Sequence, residues 1–168
     1  FAIFLAHNAI HDPFQAPDRL VEKYEKLVGK RYGRSVATIY AMIEALDAGL
    51  GRVFGALKEA KLWDETIIVF TSDNGAIITQ REDLDSSTDR FHAGLAGNKG
   101  NVLEQGIRVP AVASWPKEIP AGRIEETPVH GCDWLPTLFA TTGAKPPPGA
   151  KPLDGKNILA LLRGEPSP

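Results

Sequence analysis

The sequence holds a single cysteine, Cys132, in 168 residues. No intrachain disulfide framework is open to it, and one thiol says nothing about redox compartment. Net charge is slight as well: nineteen basic residues against twenty-one acidic ones leave −2. Nucleic acid and anionic membrane both need clustered Lys and Arg, so neither is expected as a partner. No apolar run approaches the roughly 20 residues needed to span a bilayer. What is present is a globular balance, 43% apolar and 24% charged, on a length that suits one domain or a piece of a larger one.

No initiator Met, basic leader or cleavage-site pattern accompanies the opening run Phe1-Ala2-Ile3-Phe4-Leu5-Ala6. The run is too short for a signal-peptide core with its flanks. It reads as a buried strand entered in mid-domain, and so as part of a longer chain. Any targeting signal would lie upstream, and compartment is not legible here.

The remaining elements alternate. Arg19 to Val28 has a helical pattern ending near Gly29. From Ser35 to Lys61, apolar residues such as Val36, Ile39, Tyr40, Ile43, Leu46 and Leu50 recur at three- and four-residue steps, one face of a long helix. Gly49, Gly51 and Gly55 inside it each cost roughly 1 kcal/mol relative to Ala, which suggests a close backbone approach there. Thr66 to Thr71 is β-branched and apolar on both faces, as a central parallel strand would be. A polar loop of about 30 residues, Asp73 to Asn101, follows; loops of such length are usually functional or mobile. Val109 to Trp115 predicts a strand, with Pro110 at its start or edge. Asp133 to Thr142 predicts a helix closed by Gly143, with Asp133 as its N-cap. Lys145 to Pro152 carries four prolines and reads as a surface linker. Asn157 to Leu162 is a last short helix before Gly164. No internal repeat is present.

Polar clusters fall near the strand ends, where open α/β sheets bind ligands. Asp73 and Asn74 offer a carboxylate and an amide carbonyl, hard oxygen donors suited to Ca²⁺ or Mg²⁺; Asp-Asn-Gly is also a common turn. Lys99, between Gly97 and Gly100, can act as a point charge for an anion or stand as a solvated loop lysine. Arg108 can bind an anion or pair with Glu104. His11, four residues after His7, can donate to a leaving-group oxygen or to an anionic substrate, or be a plain surface residue. His92 lies in the long loop, where it could line a cleft. His130 reads as structural. Cys132, with no neighbouring base or basic cluster to activate it, reads as a small buried hydrophobe.

Four stretches in order resemble the sulfatase family of the alkaline-phosphatase-like superfamily. They are Leu5 to Pro13, similar to the family's Asn-Ala-Pro-His-x-Pro loop; the long helix running into Ile67 to Gly75; Gly97-Asn98-Lys99-Gly100 through Glu104 to Pro110; and Asp133 to Leu138 followed by Leu153-Asp154-Gly155. The resemblance implies an α/β fold, part of an alkaline-phosphatase-like mostly parallel sheet flanked by helices and incomplete. Residues 1–144 would be the carboxyl-side part of the catalytic domain. Residues 145–168 would be a Pro-rich linker and short helix leading toward a further subdomain.

The resemblance also implies roles. Asp73 and Asn74 match ligands of the family's calcium, Lys99 a lysine that contacts the sulfate and the nucleophile, and His11 a histidine that contacts the sulfate and protonates the leaving alcohol. His92 is a further substrate-binding candidate. The substrate would be a small-molecule or glycan sulfate ester. The family's nucleophile is a formylglycine made within Cys/Ser-x-Pro-x-Arg, a motif this sequence does not contain; Trp134 and Pro136 rule out Cys132. The upstream Asp-Asp pair is also missing, Ile10 replaces the usual Pro, and Gln105 replaces a Gly. The isolated chain is therefore expected to be inactive and to self-associate through an exposed sheet edge. A phosphatase, phosphodiesterase or phosphonate hydrolase of the same superfamily, or a non-catalytic remnant, are the alternatives. Family members are often periplasmic, extracellular or lysosomal.

Overall fold

A computed structural model describes residues 1–166. The chain divides into two compact units, Phe1–Ala60 with Asn74–Val109, and Lys61–Asp73 with the chain from Pro110 onward. No helix among the described residues is long and apolar enough to cross a membrane.

The first unit is built on an antiparallel helix pair, α1 (Asp18–Val28) and α2 (Arg34–Glu59). Helix α1 stops at Gly29, whose φ of +59° suits a residue without a Cβ. The apolar period predicted for α2 is realised in its first half, where Val36, Ala37, Ile39, Ala41 and Met42 are buried. Leu20, Val21 and Ala41 form the seam, with Ala16 and Tyr24 packed on it. Full burial of a side chain such as Ile39 contributes about 1.5–3 kcal/mol. Around the seam run the ion pairs Lys23–Glu44 at 2.5 Å and Arg34–Glu25 at 2.6 Å, and the Tyr24 and Tyr40 rings at 5.9 Å. The N-terminus of α2 has no local side-chain cap. Asp85, from a 3₁₀ turn in the long loop, supplies one instead: its carboxylate accepts from the Arg34 N–H at 3.0 Å, and its carbonyl accepts from the Ser35 hydroxyl at 2.6 Å. A carboxylate here satisfies an orphan donor and meets the positive end of the helix dipole. A one-turn helix, α3 (Glu104–Ile107), completes the unit.

The second unit contains β1 (Ile68–Thr71) and β2 (Ala111–Ser114). They pair antiparallel, from Ile68 opposite Ser114 to Thr71 opposite Ala111. Beyond them lie α4 (Trp134–Thr142), ended by Gly143 at φ +70°, and α5 (Leu159–Arg163), ended by Gly164 at φ +78°. Thr137, fully buried, ties the two helices. Its hydroxyl donates to the Asp133 carbonyl at 2.6 Å and accepts from the Ile158 N–H at 2.9 Å.

Four expectations need correction. Residues 1–6 form no strand, and Phe1 and Phe4 are 85% and 92% exposed; an apolar run becomes a strand only where a neighbour offers a ladder. Thr66–Thr71 does not stand in a parallel array: its four paired residues meet one antiparallel neighbour, and Phe70 and Thr71 are exposed. Gly49, Gly51 and Gly55 face open space, since a Cβ at any of them would meet nothing within 4 Å. Asp133 does not cap α4. Its carboxylate reaches back, accepting from the His130 N–H at 2.7 Å and the Lys156 N–H at 2.8 Å, while the His130 ring accepts from the Cys132 N–H.

Candidate functional site

The candidate site of the first unit is made by two loop segments, 74–79 and 96–106, laced together by backbone and amide groups. The Gly75 N–H donates to the Gly106 carbonyl at 3.0 Å, and the Lys99 N–H donates to the Ala76 carbonyl at 3.0 Å. The side chain of Asn98 completes the lacing. Its Oδ1 accepts from the Ile78 N–H at 2.8 Å, and its Nδ2 donates to the Ile78 carbonyl at 2.8 Å. A primary amide presents a donor and an acceptor side by side, so it pairs with a peptide unit as a neighbouring strand would. Asn101 Oδ1 holds the turn from within, accepting from the N–H groups of Asn98 and Leu103 at 3.3 and 3.2 Å.

The glycines explain how the segments come so close. A Cβ on Gly75 would stand 1.7 Å from the Gln105 carbonyl oxygen, and one on Gly106 would stand 2.1 Å from that of Asn101. Gly100, with φ +92°, lets the chain turn immediately after Lys99. The outcome is a fixed backbone from which the exposed Lys99 ammonium projects. It enters no ion pair among the described residues.

His92 borders an open cleft of about 420 Å³ together with Gly97, Gln105, Ile78, Gln80 and Leu95. Asn74, half-buried, donates from Nδ2 to the Gly75 carbonyl at 2.9 Å. Asp73 is exposed at the end of the segment that carries β1, and it enters no ion pair among the described residues. His11 stands apart from this lacing. Its ring is 63% exposed, and Nδ1 lies 2.9 Å from the Asp12 carbonyl and 2.8 Å from the Asp12 carboxylate. No contact described for it reaches Lys99, Asn74 or His92. Arg108 pairs with Glu104 at 3.1 Å, the structural role open to it in the sequence.

No group of three or more His, Cys, Asp or Glu residues that could hold a metal ion exists among the described residues. The acid–amide couple fits a hard cation by chemistry, as two of the six to eight oxygens that calcium takes. Cys132 is exposed, not buried, and the His130 Nδ1 lies 3.1 Å from its sulfur, so it does have a neighbouring base. Sequence reasoning passed over Asn98 and Asn101; the signal was an Asn on each side of Lys99-Gly100, a residue type that bonds to local backbone.

Comparison with known proteins gives these features a context. The family profile described as Sulfatase matches residues 1–144. The steryl-sulfatase of Mus musculus is 37% identical over 134 residues, 79% of this chain and 21% of that protein. The N-acetylgalactosamine-6-sulfatase of Sus scrofa is 32% identical over 165 residues, 98% of this chain and 29% of its own length. Among solved structures, Ps i-CgsB in complex with k-i-k-neocarrahexaose superposes with a TM-score of 0.77 at 35% identity, covering 94% of this chain and 32% of that one. The chain thus spans about a fifth to a third of the length of these proteins. Its fold is that of the sulfatases' alkaline-phosphatase-like architecture, represented by helices and a small sheet. With the profile running unbroken from the exposed loop of His11 through the laced segments around Lys99, the chain belongs to the sulfatase family.

Proposed function

We propose that this chain supplies part of an active site that hydrolyses sulfate esters of small molecules or glycans. Lys99 pairs with a sulfate oxygen. Asp73 and Asn74 contribute oxygen ligands to a calcium ion. His92 lines the approach of the substrate, and His11 hands a proton to the leaving-group oxygen. The observation that carries the reading is the lacing of segment 96–106 onto 74–79, through which Lys99 is fixed two residues of chain beyond Asn74 by its bond to Ala76.

Attack at sulfur builds negative charge on the equatorial and leaving oxygens, and preorganised cations stabilise it without reorganising. Calcium, when bound, supplies a divalent charge at those oxygens. Lys99 supplies an ammonium on a backbone held to Ala76 by its N–H. At His11, Nδ1 is taken up by Asp12, so Nε2 is the nitrogen left to face the leaving oxygen. The complex of Ps i-CgsB with an oligosaccharide supports a glycan as the substrate.

Equilibrium dialysis of an aryl sulfate against the chain, with and without Ca²⁺, tests the proposal. Binding that Lys99→Ala weakens by about tenfold is expected, the loss of one charge-assisted contact. Calcium affinity on the order of millimolar is expected, since two protein ligands leave most of the coordination to water. Sulfate-ester binding unchanged by Lys99→Ala in a folded variant would contradict the assignment.

A further inference from the structure

A second cleft, about 350 Å³, lies beside the one bordered by Gly97, and the two share Asp89 and His92 as a common wall. Its other walls are Arg31, Tyr32, Arg90 and Phe91. Apart from the shared Asp89 and His92, the first cleft is lined by the amides of Gln80 and Gln105, the aliphatic Ile78 and Leu95, and Gly97, whereas the second carries two guanidinium groups.

The two arginines are held differently. Arg90 is anchored along one edge: Nη1 donates to the Ile77 carbonyl at 3.2 Å and the Thr88 carbonyl at 2.9 Å. Burial lowers its pKa from the ordinary guanidinium value, yet an arginine stays charged under any physiological condition. A planar cation fixed on one edge, with further N–H groups to offer, loses little freedom when it meets an anion. Arg31 lies over the Tyr32 ring, 5.2 Å from its centre, on an exposed 3₁₀ turn after α1. Asp89 is the sole acidic wall, and its carboxylate already accepts from Gln80 at 3.1 Å. The balance is positive in a chain whose net charge is −2. Tyr32 is half-buried, and Phe91 is 78% exposed, a large apolar ring presented to solvent at the cleft mouth. Flat apolar faces beside a few fixed polar groups are how pockets take ligands with one apolar and one charged surface. A sugar ring bearing a sulfate has that pair of surfaces.

We propose that the cleft walled by Arg31, Tyr32, Arg90 and Phe91 is a subsite for a second sulfate, carried on a saccharide whose scissile ester lies across the His92 wall. The inference rests on the sulfate-ester reading above and narrows it to multiply sulfated glycans. His92 is then the divider between reacting and recognised sugars, and Arg31 is a specificity residue that never touches the reacting sulfur.

Calorimetric titration of the chain with a neutral disaccharide and with its mono- and disulfated forms tests this. The disulfated probe is expected to bind about tenfold more tightly than the monosulfated one, the worth of one charge-assisted contact. Arg31→Ala should erase most of that gain and leave monosulfated binding unchanged, while Arg31→Lys keeps part of it. Because Arg31 is exposed and enters no ion pair among the described residues, the variant should unfold at the wild-type temperature. Equal affinity for the two sulfated probes, no binding of either, or a full gain persisting in Arg31→Ala would each overturn the subsite. Lys99→Ala separates the two readings. If it weakens both sulfated probes alike while no disulfate advantage exists, only the subsite fails. If it changes nothing while Arg31→Ala removes an advantage, only the assignment of Lys99 fails.

Discussion

Gly75 donates its backbone N–H to the carbonyl of Gly106 at 3.0 Å, and neither position has room for a Cβ. The contact joins the residue after Asn74 to the end of the loop that carries Lys99. Nothing larger than hydrogen at either Cα permits the two backbones to touch.

Gly75→Ala and Gly106→Ala are therefore expected to destabilise the chain by about 1–3 kcal/mol or more, because the clash is with backbone oxygen that cannot rotate away. Thermal unfolding measures the loss. Gly55→Ala is the control: its Cβ would meet nothing, and it should stabilise α2 by up to about 1 kcal/mol through helix propensity.

Asn98 should behave as a two-point clamp whose halves can be removed separately. Asn98→Asp keeps the acceptor for the Ile78 N–H and turns the donor into a second acceptor, facing the Ile78 carbonyl. Asn98→Ala removes both. Each variant should cost about 1–3 kcal/mol, the penalty of half-buried groups left without partners. Hydrogen exchange at the Ile78 amide should speed up in Asn98→Ala and stay closer to wild type in Asn98→Asp.

Asp133 carries a pH dependence. Its carboxyl is held below the ordinary carboxylate range, chiefly by the Lys156 N–H and then by the His130 N–H. A group whose folded pKa is depressed contributes stability above its unfolded value of about 3.9 and loses it as pH falls through the depressed one. Asp133→Ala should thus cost about 0.5–2 kcal/mol at neutral pH, the range for a lost capping interaction. The difference from wild type should shrink as the pH drops below about 4. Unfolding titrations at pH 7 and in the acid range measure both.

The apolar groups left outside predict association. Phe1, Ile3 and Phe4 are exposed in the first unit, and Phe70 and Val112 on the β1–β2 pair. Exposed apolar side chains and the open outer edges of a two-stranded ladder favour pairing with another copy. Light scattering should report oligomers at micromolar concentration, and Phe4→Asp with Val112→Lys should shift the population toward monomer. No turnover of an aryl sulfate is expected from the chain by itself, since it carries no Cys/Ser-x-Pro-x-Arg motif.

What was legible in the sequence was what local chemistry decides. The period of Val36, Ile39 and Ile43 marked α2, and Gly29, Gly143 and Gly164 marked helix ends, because both signals live within a few residues. The family pattern singled out His11, Asp73, Asn74 and Lys99 as candidates, and the long loop singled out His92. What was not legible depended on distant partners. Phe1–Ala6 has strand composition, yet among the described residues it pairs with no strand. The cap of α2 comes from Asp85, and the acceptors of the Asp133 clamp serve Lys156. The Asn98–Ile78 pairing spans twenty residues of loop, a relationship that no period encodes. Arg31 and Arg90 come from either side of α2 in sequence, and only the fold makes them walls of one cleft.

Nuclear magnetic resonance of the ¹⁵N-labelled chain, titrated with an aryl sulfate in the presence of Ca²⁺, tests the assembly of the site most directly. Shifts concentrated at Asn74, Ala76, His92 and Lys99, and abolished by Lys99→Ala, are the expected result. Shifts that leave those residues still, or that survive the loss of the Lys99 ammonium unchanged, would contradict a sulfate site built on the lacing of 74–79 to 96–106.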